Sequence, residues 1–180
     1  LTKPDTAHLT VSLPNLLERG SDDAFRQLVL DMLSMSARLQ SIRDKFGAIA
    51  GVSGPHYSMM ITIAHMTKQG VAVTVSGLAE QLHVSGTFVT AELKKLARAG
   101  LVAKSANPSD RRSVIVTLTD TGAALIDSVR SIVRAGNDEI FRGLSSDDFK
   151  MLRRVMPGLV SALDDALILT EAQGRKRQTE

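Results

Sequence analysis

The stretch from Thr74 to Leu118 constrains this chain more than any other part of it. Thr74 can cap a short helix holding Leu78, Ala79 and Leu82. His83-Val84 then make a tight turn, and Ser85 can cap a second helix to about Ala99, with Phe88, Val89, Leu93 and Leu96 on its inner face. Gly100 is a stop for that helix. The apolar run that follows, Leu101-Val102-Ala103-Lys104, is separated from Val114-Ile115-Val116-Thr117-Leu118 by a polar loop around Ser105–Asp110. Apolar runs flanking a turn-rich loop predict a β-hairpin. Two short helices followed by a hairpin make a winged helix-turn-helix.

Helical periodicity surrounds this module. Phe25, Leu28, Val29, Met32, Leu33, Met35, Leu39 and Ile42 recur at helical spacing, which predicts a long helix from about Asp22 to Phe46 with Ser21-Asp22-Asp23 as its capped, acidic start. A second helix follows over about Pro55 to Lys68. Beyond the hairpin, Thr119 or Thr121 starts a helix to about Arg142, and Ser145-Ser146-Asp147-Asp148 is a capping-box signature for the last one. That last helix sets Phe149, Leu152, Met156, Leu159, Val160, Leu163 and Leu167 on one face, and Pro157-Gly158 should kink or interrupt it. The expected organisation is an irregular arm over 1–20, one domain over 21–173 with its winged helix-turn-helix lobe at 55–118, and a frayed basic tail at 174–180. The fold class is therefore mainly α. The apolar stripes of the outer helices, 21–46 and 119–173, exceed what the small central module can cover, so they read as dimerisation helices pairing with a second copy.

Charge singles out the same module. The chain carries a net +3, whereas residues 83–112 alone carry +4, from Lys94, Lys95, Arg98, Lys104, Arg111 and Arg112 against Glu92 and Asp110. A basic excess concentrated on a helix-turn-helix points to duplex DNA. Aromatics at 3% argue against a stacking surface for single strands. On the second helix of the module, Ser85, Thr87, Thr90, Lys94 and Lys95 are the candidate DNA-binding residues, and Gly86 and Ala91 leave room for close approach. In the wing the candidates are Asp110, Arg111 and Arg112, with Arg suited to a narrow minor groove and the acid two residues before Arg112 able to hold its guanidinium. The plainer alternatives are surface threonines and an exposed ion pair.

Other classes lack their signatures. With 0 Cys there are no disulfides, thiol sensors or Cys-ligated zinc. His8, His56, His65 and His83 contain no i, i+4 pair, so no metal site and no cofactor is expected. No phosphate loop or nucleophile elbow suggests an enzyme. No apolar run approaches the roughly 20 residues of a membrane span, and no signal-peptide pattern opens the chain, which begins on Leu1 rather than a methionine. A cytoplasmic protein without membrane contact is expected.

The residues just described resemble the MarR family of bacterial transcriptional regulators. The resemblance runs from Thr74 to Gly122: Leu78–Leu82 match the family's Leu-Ala-Glu-x-Leu, and Gly100–Val102 its Gly-Leu-Val. Asp110 and Arg112 match the Asp-x-Arg of the wing, and Leu118, Thr119 and Gly122 the Leu-Thr-x-x-Gly after it. Departures are Lys104, where Arg is common, and the small Gly86 and Ala91. The resemblance implies an obligate homodimer with intertwined first and last helices. It further implies a pseudo-palindromic operator, usually bound as a repressor, and a small-molecule pocket between the dimerisation helices and the DNA-reading lobe.

Five of the 7 methionines, Met32, Met35, Met59, Met60 and Met66, lie on the first two long helices. Met suits adaptable apolar sites, and Arg38 lies one turn from Met35. Met35, Arg38, His56, Met59, Met60 and Ile63 are thus the candidate ligand-binding residues for a small aromatic carboxylate or its thioester. Ordinary core and dimer interface is the competing reading of the same methionines. For the chain as a whole, the alternative function is a winged-helix protein-interaction module without sequence-specific DNA binding.

Overall fold

The structure, a computed structural model, describes residues 8–110 and 112–177. The elements run α1 (Asp23–Ile49), α2 (Gly54–Lys68), α3 (Val75–Leu82), α4 (Gly86–Arg98), β1 (Val102–Ala106), β2 (Val114–Leu118), α5 (Asp120–Ser128), α6 (Arg130–Phe141) and α7 (Ser146–Arg177). The chain divides into two units between Val133 and Arg134. Among the described residues no helix is long and apolar enough to cross a membrane.

The core of the first unit is built around α2. Met59, Met60 and Ile63 have no exposure and pack with Leu78 of α3, Val89, Leu93 and Leu96 of α4, and Val102 and Val116 of the hairpin. The hairpin is antiparallel, with Val102 opposite Leu118 and Ala106 opposite Val114. Its inner edge is tied down where the Val116 N–H donates to the Val73 carbonyl at 2.8 Å. A smaller cluster joins Phe46 of α1, Tyr57 of α2 and Val129, with the Phe46 and Tyr57 rings edge-on at 6.2 Å. The α1–α2 corner needs Gly47, because a Cβ there would lie 2.9 Å from the Ser53 backbone.

Local chemistry starts the helices where the sequence suggests. Thr74 accepts from the Gly77 N–H, Ser85 from Phe88 and Thr119 from Gly122. At α7, Ser145 and Asp148 cap each other reciprocally: Ser145 donates from its backbone to the carboxylate at 3.0 Å, and its hydroxyl accepts from the Asp148 N–H at 3.2 Å.

The expected oxygen cap at the start of α1 is Ser21, while Asp22, at the N-cap position, makes no capping bond. Its side chain is buried, and a buried carboxylate must fill its oxygens with donors. It takes the Thr10 N–H and hydroxyl, each at 2.6 Å, and Arg26 Nε at 3.0 Å, while Ser21 supplies the oxygen for the Asp23 N–H. The two Thr10 bonds, with Arg26 behind them, hold the Asp22 carboxyl well below the usual carboxylate range. The end of the expected irregular arm is therefore fastened to α1, and it contains a 3₁₀ turn at Pro14–Leu16. The single helix expected from Thr119 to Arg142 is two helices, α5 and α6, parted at Val129, which is 3% exposed in the Phe46–Tyr57 cluster. At the break Val129 has φ −102° and ψ 2°, outside the helical range. α7 is not interrupted at Pro157-Gly158. Proline's fixed φ is compatible with a helix, and the carbonyl it leaves unbonded lies on a helix with no buried residue, where water can serve it. Residues 174–177, expected to fray, complete α7, with Arg175, Lys176 and Arg177 at the negative end of its dipole.

Each unit leaves a large apolar face open. On α1, Leu28, Leu30, Leu33 and Met35 are between 47% and 63% exposed. In the second unit, Phe149, Leu159, Leu163, Leu167 and Ile168 of α7 are between 43% and 67% exposed.

Candidate nucleic-acid interface

The helix-turn-helix is set by a backbone turn with an unusual residue. His83 closes α3 in the left-handed region at φ 51°, and its N–H bonds back to the Ala79 and Glu80 carbonyls. Val84 and Ser85 then lead into α4, whose Val89, Leu93 and Leu96 are 0–1% exposed against the core. The opposite face follows from helical spacing. Gly86, Thr87, Thr90, Ala91, Lys94, Lys95 and Arg98 line an open groove of about 600 Å³ along α4. Phe88, expected inside, is 39% exposed. It shares a stripe with Glu92 at i, i+4, on the border between the buried and open faces.

The candidate residues on α4 differ in what they have left to offer. The Ser85 hydroxyl is committed to the cap, accepting from Phe88 at 3.1 Å. The Thr90 hydroxyl donates to the Gly86 carbonyl at 2.8 Å. Lys95 Nζ lies 2.7 Å from Glu92 Oε1. Lys94 and Arg98 form no ion pair among the described residues, so both charges face solvent. Glu92 is absent from the candidates that the sequence pattern supplies. Its second oxygen lies 2.7 Å from His56 Nε2, tying the start of α2 to the middle of α4. Both side chains are largely shielded, at 17% and 12% exposure. The Lys95 hydrogen bond, ahead of the charges of Lys95 and His56, keeps the Glu92 carboxyl below its ordinary range. The Glu92–Lys95 spacing is visible in the sequence, but the pairing with His56 bridges distant segments and leaves no local signal.

In the wing, the loop between β1 and β2 is held by its own polar side chains. Asn107 Oδ1 accepts from Ser109 N–H at 3.0 Å, and its Nδ2 donates to the Ser113 hydroxyl at 2.8 Å. Asp110 does not hold the Arg112 guanidinium as expected. It accepts the Arg112 backbone N–H at 2.9 Å, an Asx turn that orders the loop without fixing a long side chain. Arg112 is exposed, and its guanidinium has no ion-pair partner among the described residues. Arg111 lies outside the described residues.

The candidate ligand residues are divided. Met59, Met60 and Ile63 are brought together, fully buried, in the main core. His56 is engaged with Glu92. Met35 is 47% exposed on α1 and belongs to neither core cluster. Arg38 is exposed and donates to the Ser34 carbonyl at 3.2 Å and to its hydroxyl. Within one chain, then, Met35 and Arg38 stand apart from the other members of the set.

Known proteins share this arrangement. The MarR family model matches residues 55–114. The chain is 30% identical over 96 residues to the HTH-type transcriptional repressor Mb2911 of Mycobacterium bovis, covering 53% of this chain and 69% of that one. It is 26% identical over 112 residues to the HTH-type transcriptional regulator YdgJ of Bacillus subtilis, spanning 62% of this chain and 66% of that protein. Among solved structures, a MepR–DNA complex from S. aureus superposes with a TM-score of 0.60 at 17% identity, covering 84% of this chain and 99% of that one.

Proposed function

This chain belongs to the MarR family of transcriptional regulators, and from that premise we propose that it binds duplex DNA as a homodimer, with α4 in the major groove and the wing at the adjacent minor groove. The observation that carries the reading is the split character of α4. One face is sealed into the core by Val89, Leu93 and Leu96, and the other presents hydroxyls, small residues and the cations Lys94 and Arg98, which have no ion-pair partner among the described residues, to solvent. Such a face satisfies both needs of groove binding, charge for phosphates and short side chains for base edges. The exposed Arg112, on a loop ordered by Asn107 and Asp110, supplies the wing contact, with Arg111 beside it in sequence.

A second copy is the proposed cover for the apolar faces of α1 and α7, since soluble monomers rarely expose patches of this extent. A two-fold dimer reads a pseudo-palindrome, with recognition helices about 34–36 Å apart. Repression is supported by the Mycobacterium bovis relative, a transcriptional repressor. For induction we propose a small aromatic carboxylate or its thioester, with Arg38 taking the anion and Met35, Met59, Met60, Ile63 and His56 forming the apolar and polar wall. Arg38 is solvent-accessible and thus reachable, whereas the buried methionines would have to yield, which their flexible side chains permit. Such a ligand releases DNA only through its differential affinity for the two states.

The test is sedimentation velocity of the protein alone and with a duplex selected from a random library. The expected result is a dimer alone and one dimer per duplex. A folded monomer at micromolar concentration, or no duplex selected, overturns the reading and favours the interaction-module alternative.

A further inference from the structure

The two threonines on the open face of α4 are not chemically equivalent. Thr90 spends its hydroxyl proton inside the helix, on the Gly86 carbonyl at 2.8 Å. The Thr87 hydroxyl makes no hydrogen bond with any other described residue and keeps both its donor and acceptor capacity. Without breaking that bond, Thr90 offers the groove its γ-methyl and a hydroxyl that can only accept, with no proton left for a base acceptor. Beside it is the exposed methyl of Ala91, and Lys94 follows one turn on, all three lining the same groove. Two adjacent methyls on a major-groove face match the one base with an apolar group there, thymine with its C5-methyl.

Resting on the DNA-binding reading above, we propose that Thr90 and Ala91 specify a thymine in each half-site through methyl contact, and that the Thr90 hydroxyl takes no part in base readout. Thr87 is left as the hydroxyl that hydrogen-bonds a neighbouring base edge. The bond to Gly86 also fixes the Thr90 rotamer, so its methyl is held in place before DNA arrives. Thr90→Val preserves this β-branched shape and loses only the hydroxyl. The Gly86 carbonyl keeps its ordinary helical bond in that variant. Thr90→Ser does the reverse, keeping the hydroxyl and removing the methyl.

The experiment uses the tightest duplex selected by the parent protein, with each thymine replaced in turn by uracil, which lacks only the C5-methyl. One symmetric pair of positions should be sensitive. Loss of one buried methyl contact corresponds to about fourfold in affinity, and substitution in both half-sites to about fifteenfold. Thr90→Val should bind like the parent and retain the uracil sensitivity. Thr90→Ser should bind the thymine duplex more weakly than the parent does and should show a smaller uracil penalty, the Ala91 contact being all that remains. Parent-like binding by Thr90→Ser together with weak binding by Thr90→Val would overturn the proposal, because the hydroxyl would then be the reader. Indifference to uracil at every position would overturn it too. Selection of no duplex by the parent refutes the DNA reading itself and this proposal with it, so the two failures are distinct.

Discussion

Substitution of Gly122 by alanine is expected to destabilise the winged lobe sharply, although alanine is the better helix former. Gly122 is buried in the first turn of α5, where its N–H donates to the Thr119 hydroxyl at 3.0 Å. The same hydroxyl donates to the Gly100 carbonyl at 2.6 Å, and the Thr119 N–H donates to the Leu101 carbonyl at 3.1 Å. The helix start is therefore pressed against the beginning of the hairpin. A Cβ at 122 would overlap the Leu101 carbonyl oxygen and lie 3.1 Å from its carbon. Both are backbone atoms and cannot swing aside as a side chain would. Moving the helix away costs about 1–3 kcal/mol in overpacking, and loss of the Thr119 cap adds about 1 kcal/mol. The gain from replacing glycine in a helix returns about 0.5–1 kcal/mol. The net loss is about 1–3.5 kcal/mol, which for a chain of this size lowers Tm by roughly 2–14 °C. Differential scanning calorimetry at one fixed protomer concentration measures it, since the melting of a dimer depends on concentration. Gly86→Ala is the control, because a Cβ there meets nothing within 4 Å, and it should melt close to the parent. If Gly122→Ala melts within about 1 °C of the parent, a shift too small for a loss of this size, the close approach of α5 to Leu101 is not what that glycine serves.

Three further outcomes are expected. Glu92→Gln should lower stability at pH 7 by about 1 kcal/mol, because His56 and Lys95 lose a charged partner. As the Glu92 carboxyl is depressed in the folded state, its contribution is full above the unfolded pKa and lost as pH falls through the folded one. The gap between the urea midpoints of parent and variant should therefore begin to narrow only as pH falls below the ordinary glutamate value of about 4.3 and shrink further below it, and a gap that narrows already between pH 7 and pH 5 and then stays constant contradicts the pairing. Leu33→Glu, at a position 63% exposed in the single chain, should leave the circular dichroism spectrum intact while shifting sedimentation toward monomer; an unchanged dimer would place the interface elsewhere. Calorimetry against aromatic acids and their thioesters should show binding to free protein that weakens on the operator and is reduced in Arg38→Ala, and equal affinity for both forms removes this account of induction.

Features set by neighbours along the chain are legible in the sequence. The caps at Thr74, Ser85 and Thr119, the reciprocal Ser145–Asp148 pair, and the hairpin of β1 and β2 all depend on groups a few residues apart. What escapes depends on contacts distant in sequence. Val129, buried with Phe46 and Tyr57, stands where α5 and α6 part, and Asp22 is drawn to donors on Thr10. His56, grouped by sequence with a ligand wall, is drawn to Glu92 across the core. The methionines illustrate a further limit. Met35 and Met59 satisfy the same apolar periodicity, but one is exposed and the other sealed. Periodicity marks a face to be covered without telling whether the chain or a second copy covers it. Asp110 likewise has two local partners within reach, and the rigid backbone N–H of Arg112 wins over the flexible guanidinium at lower entropic cost.

The central claim, that the open face of α4 and the wing form one electrostatic surface for duplex DNA, is tested most directly by the salt dependence of binding. Fluorescence anisotropy on the selected duplex, over roughly 50 to 300 mM salt, gives the slope of log K against log salt for the parent, Lys94→Ala and Arg112→Ala. Each protomer should contribute several ion releases, so the parent slope should be steep. Each substitution removes one cation per protomer and should flatten the slope by about 1 per protomer. Arg112→Ala should weaken binding across many sequences, and Lys94→Ala should in addition relax sequence preference by roughly 1–3 kcal/mol if it reaches a base. Slopes indistinguishable from the parent in both variants would contradict the assignment of this surface to DNA.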